Sequence, residues 1–218
     1  MDMSKPHLKS RPQALRQALQ EQTRAAYREA ILDAAERVFL SDGFQSAKMV
    51  DVAEGTGVSV GTLYNYFDSK DAVFQALVDR HRTRYFDMLC APFLSDGATS
   101  QLRELIGRTL SFIETNGALF AIYLRSTTPI LDGSMGSTPA INPAEDNERY
   151  MAILAKLLEG GVSDGIIRKD IPVDELVWTL HSLIHAAVLE WVGSSERKSL
   201  VARGQFLVQL FLEGASQK

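Results

Sequence analysis

The sequence predicts an all-α fold on three grounds. Apolar residues recur at helical spacing through nearly every periodic segment, no run alternates with a period of two, and no internal repeat is visible. With 218 residues the chain has room for one or two domains and a sizeable core.

The first stripe, Tyr27, Ile31, Ala34, Ala35, Val38 and Phe39, predicts a helix over about 23–41, closed by Ser41-Asp42-Gly43, where glycine can take the left-handed conformation. Two short segments follow at 48–56 and 59–67, separated by Gly57. A long helix starts at Ser69, a plausible N-cap with Asp71 in the first turn, and ends before Pro92. Leu102, Leu105, Ile106, Thr109, Leu110 and Ile113 mark the next helix, which stops at Asn116-Gly117, and a short one is expected over about 118–125. The stretch 126–146 is rich in Ser, Thr, Pro, Gly and Asp, shows no apolar period, and reads as a flexible loop. Three more helices are expected at about 147–161, 173–192 and 196–214.

Composition narrows the function classes. Apolar residues are 45% and charged residues 23%, which excludes disordered and fibrous classes. The longest uncharged apolar stretch, Leu176 to Leu189, is 14 residues, short for a bilayer span. The N-terminus shows no apolar signal segment and Cys90 is the only cysteine, so a reduced, cytoplasmic setting without membrane contact is expected. No zinc-finger spacing, P-loop, GxGxxG or HExxH pattern occurs, and no cofactor or resident metal is implied. Net charge is −4, but residues 1–28 hold six basic residues against two acidic ones, so a basic arm precedes an acidic body.

Met49–Phe67 carries the most specific pattern. Two short helices pinned at a fixed angle need a small residue at their crossing, a turn residue able to take positive φ, and apolar inner faces; Ala53, Gly57 and the set Val52, Val58 and Leu63 stand in those places. This is helix-turn-helix spacing, with Ser59, Val60, Gly61, Thr62, Asn65 and Tyr66 on the outer side of the second helix, small or hydrogen-bonding as groove contact requires. The same spacing also serves a tight hairpin inside a bundle, with Tyr64, Tyr66 and Phe67 packed internally.

From Arg24 through Leu77 the sequence resembles the DNA-binding region of the tetracycline-repressor (TetR/AcrR) family of bacterial transcriptional regulators. The matching residues are Ile31-x-x-Ala34-Ala35-x-x-x-Phe39, Gly43-Phe44, Asp51-Val52-Ala53 and Gly57-Val58-Ser59-x-Gly61-Thr62-Leu63-Tyr64-x-Tyr66-Phe67-x-Ser69-Lys70-Asp71. They cover about the first third of the chain. The resemblance implies an N-terminal three-helix bundle with the helix-turn-helix (23–68), preceded by a basic flexible arm (1–22) and followed by a C-terminal helical ligand-binding and dimerisation domain (69–218). It implies no catalysis. It further implies a homodimeric repressor that holds a palindromic double-stranded DNA operator and is released by a small-molecule effector. Thr62, Tyr64 and Tyr66 would meet phosphates or base edges, Gly61 would let the backbone approach the DNA, and Lys70 would meet a phosphate. Ala47-Lys48 departs from the threonine pair common in the family, and Lys48 can replace the lost hydroxyl as a point charge. Arg24 and Arg28 are the arm-side contacts, although charged N-terminal tails are also often simply solvated.

Leu176, Leu180, Leu183 and Ala187 form one apolar stripe in the penultimate helix, and Val177, Ile184, Val188 and Trp191 a second. Such a helix is buried on both faces, either as a central core helix or with one face on a two-fold partner. The second reading predicts a dimer interface of Leu180, Ile184, Val188, Trp191, Leu207 and Phe211. His181 and His185 stand at i, i+4, a metal-ligand spacing without a third ligand nearby in sequence. With Phe112, Phe120, Tyr123, Tyr150 and Trp178 they are candidates to line an effector pocket, aromatics being equally at home in plain core. The basic residues between 99 and 192 lie off the inward stripes, so the expected effector is largely apolar and neutral or weakly charged. A helical interaction protein of the same fold without operator binding is the alternative.

Overall fold

The computed structural model describes residues 11–117, 120, 143–194, 196 and 198–215. Eight helices are described, and the described residues form no β-sheet: α1 (Arg11–Asp42), α2 (Met49–Thr56), α3 (Val60–Tyr64), α4 (Lys70–Cys90), α5 (Ala98–Thr115), α6 (Pro143–Ser163), α7 (Val173–Gly193) and α8 (Leu200–Ala215). The chain divides into two compact units, a head through Leu77 and a body from Val78, so the boundary falls inside α4 and not at the expected 68/69 junction. The reason is packing: Val73, Phe74 and Leu77, on the first turns of α4, are fully buried with the head's own core residues.

That core is built from Ile31, Ala34, Ala35 and Phe39 of the predicted α1 stripe, with Leu32 beside them, buried together with Phe44, Val52, Ala53, Leu63 and Phe67, whereas Val38 is half-buried and Tyr27, the first residue of the stripe, is exposed. Phe39, Phe44 and Phe74 form an aromatic trio, with ring centroids 5.4 Å apart for Phe39–Phe44 and 4.7 Å for Phe44–Phe74. Ser69 caps α4 as expected, its Oγ accepting from the Ala72 N–H at 3.0 Å.

Several element boundaries differ from expectation: α3 stops at Tyr64 and not at 67, α8 starts at Leu200 and not at 196, and α1 and α6 both start earlier. α1 begins at Arg11, so residues 11–22 are helix and not a flexible arm. Every residue described from 13 to 30 is exposed, hence the missing apolar period; the signal present was helix propensity, in Ala14, Leu15, Arg16, Gln17, Ala18 and Leu19. α6 begins at Pro143, inside the segment read as a loop, where proline suits a first turn and Glu145 and Asp146 favour the positive helix end. The expected short helix over 118–125 and the rest of that loop lie outside the described residues, apart from Phe120.

The body packs α5, α6, α7 and α8 around Leu102, Leu105, Leu110, Leu154, Leu158, Leu180 and Leu200. By length and composition α7 could cross a membrane, with a mean hydropathy of 1.2 over its most apolar window. Its Leu176, Val177, Leu180, Ile184, Ala187, Val188 and Trp191 are instead buried in the body, which is the place of a core helix.

A polar staple closes the α4–α5 connection. Arg108 donates to the carbonyls of Met88 (3.3 Å), Ala91 (2.9 Å) and Pro92 (2.7 Å) at the C-terminus of α4, where a cation is favoured by the helix dipole. Glu104 pairs with Arg108 and accepts from Ser95 Oγ (2.6 Å), Ser95 N (3.0 Å) and Leu94 N (3.1 Å). Hydrogen bonding by the Ser95 hydroxyl, then by the backbone N–H groups, with the Arg108 charge, holds the Glu104 carboxyl down to about 2. A carboxylate depressed in the folded state stabilises above its unfolded pKa and loses that contribution as pH falls toward the folded value. Glu104→Gln is therefore expected to lower the melting temperature at pH 7 and to leave a smaller difference from wild type as pH falls from about 4.5 toward about 2. Thermal melts across that range check it, and a pH-independent difference would remove the ionised staple.

Candidate nucleic-acid interface

The turn between α2 and α3 is set by Gly57, at φ +73°, whose N–H donates to the Glu54 carbonyl at 3.1 Å while Val58 N–H reaches Ala53 O at 3.2 Å. Ser59 then caps α3: its Oγ accepts from Thr62 N–H at 3.0 Å and lies 2.8 Å from the Thr62 hydroxyl. Leu63, fully buried, anchors the inner face of α3, and Phe67 is buried just beyond it. Asn65 and Tyr66 continue the chain in a turn, since α3 itself ends at Tyr64.

Ser59, Val60, Gly61, Tyr64 and Asn65 are exposed on the opposite side, with Lys48 exposed before α2. Thr62 and Tyr66 are half-buried, so the internal-packing reading holds for Phe67 and not for Tyr64. A Cβ at Gly61 would meet only Ser59 Oγ, at 3.9 Å, so the head itself does not require glycine there. Arg24 and Arg28 flank this end of α3. Arg24 lies 5.9 Å from the Tyr66 ring centroid and Arg28 lies 4.3 Å from that of Phe67, while the Tyr27 and Tyr66 rings are 6.0 Å apart.

Lys70 has a different place from the one the motif suggested. Its Nζ donates to three backbone carbonyls, Phe44 (2.7 Å), Gln45 (2.9 Å) and Ala47 (3.1 Å), and lies 4.8 Å from the Phe44 ring centroid. An ammonium has three donors, all spent here on the α1–α2 connection, so Lys70 is a tie within the head and the phosphate role is withdrawn. Sequence separation hides this, because the acceptors lie 23 to 26 residues upstream.

The body's candidates are only partly brought together. Tyr150 and His181 ring centroids are 6.0 Å apart, Trp178 meets His181 edge-on at 6.2 Å, and His181 stacks on His185 at 5.8 Å. Phe112 packs instead on Tyr85, at 5.3 Å, and Phe120 is half-buried against the core. Tyr123 lies outside the described residues. Burial pushes the Tyr150 phenol up to about 12, with Thr109 opposing. Thr109 donates to Leu105 O at 2.9 Å, and no other hydrogen bond to the buried Tyr150 hydroxyl is formed among the described residues. Burial, and then the His185 charge, lower the His181 pKa. No group of three or more His, Cys, Asp or Glu among the described residues could hold a metal. Beside this cluster, α6 and α7 frame an open groove of about 550 Å³ that includes Met151, Val177 and Trp178, with Glu148, Glu159 and Asp174 among its polar lining.

The predicted dimer contacts require correction. Leu180, Ile184, Val188, Trp191 and Phe211 are buried in the subunit's own core, and Leu207 is half-buried against it. Periodicity showed that α7 is apolar on two sides but not which side faces inward; Trp178 is 56% exposed on α7, and Phe206 and Leu210 are 63% and 51% exposed on α8.

A capped recognition-type helix presented by a three-helix core, followed by a separate helical body, defines a helix-turn-helix DNA-binding regulator. Residues 31–77, all within the head, match the bacterial regulatory proteins of the tetR family. It is 23% identical over 190 residues to the fatty acid metabolism regulator protein of Bacillus subtilis (86% of this chain, 95% of that protein). It is 28% identical over 148 residues to the transcriptional repressor KstR2 of Rhodococcus jostii (66% of this chain, 69% of that protein). A solved structure of a putative transcriptional regulator from Saccharomonospora viridis in complex with choline shares the fold, with TM-score 0.74, 20% identity, 89% of this chain and all of that one covered.

Two substitutions separate surface from scaffold. Gly61→Leu is expected to keep the melting temperature, glycine being the poorer helix former, and to weaken DNA binding about tenfold or more, ~1.4 kcal/mol. Lys70→Met is expected to cost the head about 1–3 kcal/mol by stranding carbonyls. Melts and fluorescence anisotropy on labelled duplex check both, and the reverse pattern would exchange the two roles.

Proposed function

We propose that this regulator is a homodimeric repressor that holds a palindromic operator through α3 of each subunit and releases it when a small, largely apolar effector occupies the body. The outer face of α3 carries the reading: five exposed residues, small, hydrogen-bonding or aromatic, on a helix whose other side is anchored by a fully buried leucine. Ser59, Val60, Gly61, Thr62, Tyr64, Asn65 and Tyr66 form the contact face, with Lys48, Arg24 and Arg28 beside it. Two recognition helices about 34–36 Å apart would meet successive major grooves. The protein acts by binding, without catalysis, in the bacterial cytoplasm.

An apolar effector is supported by what the described interior of the body holds. The buried polar residues are His81 and Thr109, and Arg108 is engaged by three carbonyls and Glu104. A multiply charged ligand needs buried cations to offset its desolvation, whereas an apolar one needs a pocket and a few orienting groups, such as Tyr150 and His181. The name of the Bacillus subtilis relative fits an acyl-type ligand. α4 begins in the head and ends in the body, and it is the element through which occupancy would bias the spacing of the two heads.

Salt-titrated binding to the DNA upstream of the protein's own gene tests the reading. A steep loss of affinity with salt, reversed at constant salt by fatty acids but not by phosphorylated metabolites, is expected. Absence of binding at low salt would leave an interaction protein of the same fold. The two-fold partner is expected on the outer face of α7 and α8, so Phe206→Asp with Leu210→Asp should give folded monomers by sedimentation. Val188→Asp should instead unfold the body, since it places an uncompensated charge in the core. Intact dimers in the double variant would move the interface elsewhere.

A further inference from the structure

We propose that the projecting N-terminal part of α1, Arg11–Thr23, is a second DNA-contact element, which lays Arg16 against backbone phosphates outside the segment read by α3. This rests on the DNA-binding reading above and extends it to residues that the recognition helix does not include.

Three observations point to it. First, no residue described between 13 and 30 is buried, and burial starts only at Ile31, so this stretch takes no part in the head's core. It is nonetheless helical, as an extension of a helix already nucleated by the core and rich in strong helix formers. Second, its direction is set beside α3: Arg24, Tyr27 and Arg28 pack on Tyr66 and Phe67 at the end of the recognition helix. Gln20 and Arg16 lie one and two turns further out on the Arg24 side. At 1.5 Å per residue, Arg16 stands about 12 Å beyond Arg24, a span of three to four base-pair rises at 3.4 Å. Third, the charge fits an anionic partner: between residues 11 and 28 there are four arginines and one acid, Glu21, with Lys5 and Lys9 before them, on a chain whose net charge is −4.

A second copy of the chain is the other occupant to consider, because Leu15 and Leu19 are 62% and 53% exposed. Their stripe continues only to Gln22 and Ala26, so it is too short for a coiled-coil seam. The glutamine- and arginine-rich surface around it suits a phosphate backbone better.

The test uses the full chain and a duplex it selects from a random-sequence pool, extended by about ten base pairs of mixed sequence at each end. Hydroxyl-radical footprints and salt-dependent affinities are measured for wild type, Arg16→Ala, and a variant lacking residues 2–22. Because the segment contributes nothing to the core, both variants should melt as wild type does. The expected result is that the wild-type footprint extends about three to four base pairs further at each end than that of the deletion variant, with the centre unchanged. Arg16→Ala should reduce the salt slope by about two for a dimer, one phosphate per subunit at about 0.9 each. Identical outer edges and slopes in all three proteins would overturn the proposal while leaving α3 as the reader. A changed sedimentation state with an unchanged slope would overturn it in favour of a contact between copies. A wild-type protein that selects no duplex would overturn it together with the DNA-binding reading, so the two failures are distinguishable.

Discussion

The head depends on one cation. The connection between α1 and α2 leaves carbonyls with no helical partner, and an unpaired buried carbonyl is costly. Lys70 collects three of them on a single ammonium at the start of α4, over the face of Phe44. One side chain thereby pins the connection that sets where α2 begins to the helix that leaves the head, and the aromatic trio closes around the same point. The angle at which α3 is shown to solvent follows from that frame, with Gly57 and the Ser59 cap completing the turn.

Much of this was legible in the sequence wherever an element's reason for existing is local. The Ser59 and Ser69 caps, the Gly57 turn, the stop before Pro92, the crossing residue Ala53 and the inward Val52 and Leu63 all need only neighbours within a few residues and lie where the pattern put them, while Val58, the third of the inward set, is half-buried. What escaped needs distant partners or none. Lys70 belongs to carbonyls on another part of the chain, so its motif position suggested a phosphate instead. The start of α1 has no apolar period because none of its described side chains is buried, and a buried stripe is the pattern by which sequence reveals a helix.

The body shows the same limit from the opposite direction. Two apolar stripes on α7 were visible, but periodicity does not distinguish a surface filled by the subunit's own core from one left for a partner. The observed burial of Leu180, Ile184 and Val188 and the exposure of Trp178 settle which side is which within the subunit. The effector candidates divided similarly: Tyr150, Trp178, His181 and His185 converge, while Phe112 turns to Tyr85. Aromatic residues fill cores as readily as they line pockets, and sequence alone gives both uses one signature.

The Tyr150 hydroxyl has a meaning apart from its neighbours. A phenylalanine would occupy nearly the same volume without burying an O–H that has at most the already engaged Thr109 hydroxyl beside it among the described residues, a cost of about 1–3 kcal/mol if it stays unpaired. A body shaped for endurance alone has no use for that oxygen, so the residue is a point of local frustration, where folding and some other demand disagree. Relief of the frustration by any hydrogen-bond acceptor reaching the hydroxyl would tighten the body as a whole, tying heat resistance to occupancy and making the free protein the more yielding of its two states.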